Sequence, residues 1–184
     1  MKCKLKIAFV GSHGTGKSSG ATFLASVLKK ENRELSVKNI EENIRELAPL
    51  FGNKLNTYEF QRLAMIDHLH KELTAEQIYD IIVCDRAAID TLIYGLTYGI
   101  KLPSEYFTLA LHHMNTFNHV FFIRPDCNQA ELTKDGFRDT DVAQRNEVDS
   151  QFEKILRLWG GDYTEVRSAQ IYTFPYLEKI NITK

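Results

Sequence analysis

The stretch that decides the fold is Leu5-Lys6-Ile7-Ala8-Phe9-Val10-Gly11-Ser12-His13-Gly14-Thr15-Gly16-Lys17-Ser18. Its first six residues are mostly apolar and are bounded by a glycine, a pattern that predicts a short buried strand. From about Lys17 to Lys30 the apolar residues recur at helical spacing, which predicts a helix. The residues between them match G-x-x-x-x-G-K-[ST], and this motif binds phosphate only where it joins a strand to a helix. We therefore expect a phosphate-binding loop here.

The chemistry of phosphate binding explains each residue type in the loop. Glycines let the backbone wrap closely around phosphate oxygens, and the following helix adds its positive amino-terminal end. In such loops the lysine, here Lys17, reaches the β- and γ-phosphates, and the hydroxyl of Ser18 is a ligand of Mg²⁺. The sequence therefore predicts binding of ATP and Mg²⁺. The loop residues expected to hold ATP are Gly11, Ser12, His13, Gly14, Thr15, Gly16, Lys17, Ser18 and Ser19.

Strand-like and helix-like segments alternate along the rest of the chain. Further strands are predicted at 35–40, 81–84 and 119–123, and helices from Thr57, through 92–96, at 104–114 and at 143–159. In the helix after Thr57, the apolar face is expected to consist of Phe60, Leu63, Ala64, Ile66, Leu69 and Leu73. This alternation is typical of an α/β protein, so we predict a three-layer P-loop NTPase fold with a parallel sheet and helices on both faces. We expect one domain over 1–184, and past Trp159 we find no interpretable pattern.

Composition excludes several classes of protein. The 184 residues include 23 Lys and Arg against 24 Asp and Glu, a net charge of -1, which argues against a large basic face for duplex DNA. Three separated cysteines predict neither a disulfide framework nor a structural zinc site. The amino terminus lacks the features of a signal peptide and no stretch is long enough to span a bilayer, so we expect a cytoplasmic protein.

The third predicted strand ends in Asp85-Arg86. An aspartate at the tip of a strand beside a phosphate loop can hold Mg²⁺, and an adjacent arginine offers a fork of donors to an anion. Here the sequence resembles the nucleoside and nucleotide kinases, in which a D-R or E-R pair occupies this strand end. The resemblance implies that Asp85 is a metal ligand and that Arg86 binds the acceptor.

A second group, Glu41-Glu42-Asn43-Ile44-Arg45-Glu46, follows the second predicted strand. Its order, E-x-x-R-E, resembles the AAA-type P-loop kinase-like family, which includes the kinase domain of bifunctional nicotinamide riboside kinases. In related kinases a carboxylate near this strand end accepts the proton of the attacking hydroxyl. The resemblance implies this role for Glu42, with Arg45 as a substrate-binding residue, while Glu41 and Asp85 remain alternative bases.

The segment at about 126–145 corresponds to the position of a lid in small P-loop kinases. It contains Asp135-Gly136-Phe137-Arg138 and then Arg145, which resembles the D-G-x-R of related proteins followed by a second arginine. The resemblance implies that Arg138 and Arg145 close over the bound ATP, with Arg138 stabilising the charge that develops during transfer.

The acceptor is left open by the sequence. Gln61, near the start of a helix, is a candidate for reading a base edge. We expect a nucleoside or nucleotide acceptor; a modified base hydroxyl in DNA and a regulatory ATPase without a small-molecule acceptor remain alternatives, and a homodimer stays open. The six histidines include His68-x-His70 and His112-His113, which lack the carboxylate pattern of a metal site, so we expect them to have surface or packing roles.

Overall fold

A five-stranded parallel sheet forms the centre of the structure, a computed structural model that describes residues 3–42, 44–52, 54–126 and 142–180. The strands are β1 (Leu5–Val10), β2 (Val37–Ile40), β3 (Ile81–Asp85), β4 (His119–Arg124) and β5 (Thr164–Arg167). Their order in the sheet is β2-β3-β1-β4-β5, and each neighbouring pair is parallel. The first strand therefore lies between β3 and β4, and the carboxyl ends of all three meet at one edge.

Helices connect the strands. They are α1 (Lys17–Glu31), α2 (Ile44–Leu47), α3 (Tyr58–Ile78), α4 (Ala88–Thr97), α5 (Ser104–Met114), α6 (Val142–Trp159) and α7 (Tyr176–Lys179), with short 3₁₀ turns at Ala48–Phe51 and Ser168–Gln170. Thr57 caps α3, since its hydroxyl accepts a hydrogen bond from the backbone N–H of Phe60. Among the described residues, no helix combines the length and apolar character needed to cross a bilayer.

The two faces of β1 belong to two different hydrophobic layers. Leu5, Ile7 and Phe9 pack with residues of α1 and of the carboxyl-terminal segment. Ala8 and Val10 face the other way, among residues of α3, α4, α5 and α6. Side chains of a strand alternate between faces, so a fully buried strand requires helices on both sides. The predicted three-layer α/β fold is confirmed.

The predicted apolar face of α3 is only partly buried. Phe60 is fully buried and Leu69 packs against the core, but Ile66 and Leu73 are more than half exposed. Polar residues occupy part of the buried face. These buried polar residues are Gln61, His68, Glu72 and Glu76. They are buried because they bond to one another and to groups on other elements, among them Lys6, and such pairing offsets the cost of removing charge from water. Apolar periodicity alone therefore predicted only part of the buried face of this helix.

The segment past Trp159 contains a strand that the sequence pattern did not reveal. Strand β5 has four residues, of which only Val166 is buried, and it lies at the edge of the sheet beside β4. A short edge strand buries too little apolar surface to leave a readable pattern. Ile171 and Tyr176, which follow it, complete the layer over α1.

Helix α6 offers a direct test of this packing. Phe152 is fully buried, with its ring stacked on that of Phe122 at a centroid distance of 5.7 Å. We expect Phe152→Ala to lower the free energy of unfolding by about 3–5 kcal/mol, because it leaves a cavity against the sheet. Urea denaturation measures the change. The control is Leu158→Ala on the same helix, where the side chain is 75% exposed, and a loss there as large as at Phe152 would contradict the layer assignment.

Candidate active site

The turn between β1 and α1 is shaped by glycines at positions that a side chain could not occupy. Gly11 has φ 142° and lies so close to the neighbouring strand β4 that a Cβ would collide with the carbonyl oxygen of Ile123. Gly16 has φ 86° and occupies the N-cap of α1, where no side chain caps the helix. Because glycine brings no capping side chain, the first N–H groups of α1 are left to bind an anion.

Hydrogen bonds within the turn fix its shape. The Nζ of Lys17 donates to the carbonyl oxygen of Ser12 at 2.6 Å, and the hydroxyl of Thr15 donates to the same oxygen at 2.9 Å. From the carboxyl-terminal segment, the hydroxyl of Ser168 donates to the carbonyl oxygen of Thr15 at 2.9 Å. The turn is thus supported both from within and from a distant part of the chain.

Lys17 is a buried cation. It is only 5% exposed, and burial lowers the pKa of its ammonium group from 10.5 to about 8. The neighbouring guanidinium of Arg86 lowers this pKa further, while the carboxylates of Asp90 and Asp85 oppose the shift. A buried cation whose charge is only partly compensated is well suited to bind phosphate.

A cavity of about 150 Å³ opens beside this lysine. Six of its lining residues come from the loop and the first turn of α1: His13, Gly14, Gly16, Lys17, Ser18 and Ser19. Glu42 and Arg86 complete the lining, from the carboxyl ends of β2 and β3. Residues that the sequence placed in two separate motifs therefore meet the phosphate loop in one cavity.

Glu42 and Arg86 form an ion pair in this cavity, between a carboxylate oxygen of Glu42 and the Nε of Arg86. The side chains are 21% and 13% exposed, so the pair is largely shielded from water. Glu41, the alternative to Glu42, is exposed and does not line the cavity. Of these two glutamates, Glu42 is the one that lines the cavity together with Lys17.

The backbone of Arg86 is strained in order to place this side chain. Its φ is 85°, and among the described residues it is the only non-glycine residue with a positive φ. Its N–H donates to the carbonyl oxygen of Phe9 at 2.9 Å, which ties the end of β3 to β1. Strain of this kind persists where the surrounding structure fixes it, and it concentrates at functional sites.

Two residues of α4 hold the guanidinium of Arg86. Asp90 lies 3.6 Å from its Nη1, and the ring of Tyr94 lies 5.1 Å from its central carbon. Burial raises the pKa of Asp90 to about 6, against the opposing effect of Arg86. The hydroxyl of Tyr94 also lies 3.2 Å from the Nδ1 of His13. Helix α4 therefore links the phosphate loop to the end of β3.

Asp85 and Ser18 offer oxygen ligands that suit Mg²⁺. Asp85 is 3% exposed, and its Oδ1 has no hydrogen-bond partner among the described residues. Ser18 is exposed at the start of α1 and lines the cavity. An orphaned buried carboxylate oxygen beside a phosphate loop fits a hard cation, which prefers oxygen donors.

Other predicted site residues lie outside the cavity lining or outside the described residues. Gln61 is buried, its amide nitrogen donates to the carbonyl oxygen of Leu55 at 2.8 Å, and it does not line the cavity. Arg145 is buried in the first turn of α6, also outside the cavity lining. Arg138 and most of the predicted lid lie outside the described residues, as does the side chain of Arg45.

Three contributors had no assigned role in the sequence analysis. Asp90 stands four residues after Arg86, a helical spacing that could have suggested the contact. Tyr94 continues the same helix face. Ser168 gave no signal at all, because its contact with Thr15 spans 153 residues.

Comparison with known proteins agrees with this geometry. A family model described as an AAA domain matches residues 6–172, so the chain belongs to that family. The structure is similar to that of thymidylate kinase from Ehrlichia chaffeensis, with a TM-score of 0.59 and 16% sequence identity, over 89% of this chain and 86% of that one. No curated protein sequence gives a significant match. The resemblance to P-loop nucleotide kinase-like proteins of the AAA type, predicted from the motifs, is confirmed at the level of family and fold.

Because the charge of Lys17 is buried, replacing this residue should change the free energy of unfolding by an amount that depends on pH. In the folded protein its pKa is about 8 rather than 10.5, so between these values the unfolded chain binds more protons. The contribution of Lys17 to stability therefore rises with pH across this window. We expect Lys17→Met to be more stable than the wild type at pH 7, with the difference shrinking toward pH 10.5.

Urea denaturation from pH 7 to 10.5 measures this difference. Lys4→Met, at an exposed lysine, is the control. A Lys17→Met difference that changes with pH no more than the Lys4→Met difference would contradict the assignment of a buried, destabilised cation.

Proposed function

We propose that the protein is an ATP- and Mg²⁺-dependent phosphotransferase that moves the γ-phosphoryl group of ATP to a hydroxyl of a nucleoside or nucleotide acceptor. The observation that carries the proposal is the Glu42–Arg86 ion pair, which lines the same cavity as Lys17. A phosphate loop alone serves many reactions. A shielded carboxylate opposite the loop lysine adds a group that can accept a proton from an acceptor hydroxyl.

The phosphate-binding half of the site would act by electrostatics. Lys17 and the N–H groups at the start of α1 would hold the phosphate oxygens and stabilise their charge. Ser18 and Asp85 would hold Mg²⁺, which supplies further positive charge to the phosphate oxygens. Transfer between oxygens needs mostly positioning and charge stabilisation, so no covalent intermediate is required.

The acceptor half would depend on Glu42. Its carboxylate would take the hydroxyl proton as the new O–P bond forms, while the ion pair with Arg86 holds it in orientation. Because the guanidinium of Arg86 is already engaged by Glu42 and Asp90, it is less available to an anionic acceptor group. This balance favours a hydroxyl over a phosphate as the attacking group. Arg138 remains a predicted lid residue.

The proposal is tested by a screen of ADP release against nucleosides, nucleoside monophosphates, nicotinamide riboside and hydroxymethylated DNA. We expect one class to accelerate ADP release and to carry the transferred phosphate, detected by mass spectrometry. Slow ADP release that no acceptor accelerates would contradict the proposal and would favour a nucleotide-dependent regulatory protein. Phosphate found only on DNA would identify the polymer acceptor instead.

Two adjacent glutamates provide a matched pair of variants. We expect Glu42→Gln to lower kcat with the best acceptor by about 100-fold or more, because the amide cannot accept the proton. Glu41→Gln should retain most of the activity, since Glu41 is exposed and outside the cavity. Equal losses in the two variants, or a loss only at Glu41, would show that the base has been assigned wrongly.

A further inference from the structure

A second cluster of ionisable side chains lies in the helical layer that covers the even-numbered face of β1. Glu72 of α3 is fully buried at its centre. The Nζ of Lys6 on β1 is ion-paired with its Oε1, and the Nε2 of His113 on α5 lies 2.6 Å from the same oxygen. The Lys6 ammonium also donates to Glu76 at 2.6 Å and to Thr116 at 2.7 Å, so all three of its hydrogens are engaged.

The second carboxylate oxygen of Glu72, Oε2, faces a histidine ring nitrogen and a cysteine sulfur. The Nε2 of His68 lies 3.5 Å from Oε2, and the Sγ of Cys84 on β3 lies 3.8 Å from it. The three ligand atoms lie within 4.8 Å of one another, and all three residues are buried. His68 and Glu72 are one helical turn apart on α3, so both point toward the strand that carries Cys84.

Two of these three separations match the spacing of ligands around one tetrahedral ion. Zn²⁺ binds nitrogen, oxygen and sulfur at about 2.0–2.3 Å, which places neighbouring ligand atoms about 3.3–3.8 Å apart. The two distances from Oε2 fall within this interval. In addition, the Nε2 of His68 has no hydrogen-bond partner among the described residues, although its side chain is only 10% exposed. Its contact is the pair with the Glu72 carboxylate at 3.5 Å, which is longer than an ordinary hydrogen bond, and a metal ion between the two groups would engage both.

We propose that His68, Glu72 and Cys84 form a Zn²⁺ site that joins α3 to β3. On binding, the Cys84 thiol releases its proton to solvent and the thiolate, the carboxylate and the His68 nitrogen coordinate the ion. Lys6 and His113, bonded to the other carboxylate oxygen, act as the outer groups that orient Glu72.

The charges of the occupied site balance. One carboxylate and one thiolate neutralise Zn²⁺, and Lys6 is balanced by Glu76. Binding therefore buries no uncompensated charge, which would otherwise be costly. The ligands come from two different elements, which is why the spacing of histidines and cysteines along the sequence gave no sign of the site.

Cobalt substitution tests the proposal in the full-length protein. After EDTA treatment, titration with Co²⁺ should yield about one bound ion per chain with a thiolate-to-cobalt charge-transfer band in the near ultraviolet, displaced by Zn²⁺. Cys84→Ser should remove the band, and His68→Gln should weaken Co²⁺ binding at least tenfold. Cys3→Ser is the control, because Cys3 is a second free thiol outside the ligand set, and it should keep the band.

Several results would overturn the proposal. These are a wild type that binds no Co²⁺ or binds it without the band, a band that survives Cys84→Ser, and a band that is lost in Cys3→Ser. If Cys84→Ser fails to fold by circular dichroism, His68→Gln alone decides, since unchanged Co²⁺ affinity there also overturns the site.

Discussion

The parallel pairing of β1 with β3 and β4 is the constraint on which the candidate active site depends. This pairing brings three strand ends to one edge of the sheet, where Gly11 follows β1, Arg86 follows β3 and Ile123 lies near the end of β4. Gly11 must be glycine because β4 approaches so closely. The N–H of Arg86 is bonded to β1 itself. A change in the register of β1 would therefore displace the loop and the Arg86 side chain together.

Electrostatics at this edge follow from the same packing. Burial makes the cation of Lys17 costly, and Arg86 adds a second positive charge beside it. Glu42 and Asp90 form ion pairs with Arg86. Lys17 lines the same cavity, and an incoming phosphate could compensate its positive charge. An anion bound beside Lys17 would therefore remove a cost already present in the fold, which is one way in which binding sites trade stability for affinity.

The sequence predicted the parts of the molecule whose signals are local. The strand–glycine turn–helix pattern around 5–30 correctly predicted β1, the turn and α1, and alternating apolar segments predicted the layered fold. Features that depend on distant contacts could not be predicted. Part of the buried face of α3 is polar because Glu72 meets Lys6, 66 positions earlier in the chain. Ser168 supports Thr15 from the far end of the chain. The contact of Asp90 with Arg86 is intermediate between these cases. The two residues are four positions apart, which is a local spacing, but the contact also depends on the strained backbone that orients the Arg86 side chain.

Isothermal titration calorimetry with ATP in the presence of Mg²⁺ tests the central claim most directly, namely that the turn between β1 and α1 binds a polyphosphate. We expect saturable heat from the wild type with one site per chain, and at least a tenfold loss of affinity in Lys17→Ala, since one charge-assisted contact to phosphate is worth about 1.5–3 kcal/mol. The exposed-lysine variant Lys4→Ala should bind as the wild type does. No heat from the folded wild type, or equal affinity in Lys17→Ala, would contradict the assignment of this turn as a nucleotide-binding loop.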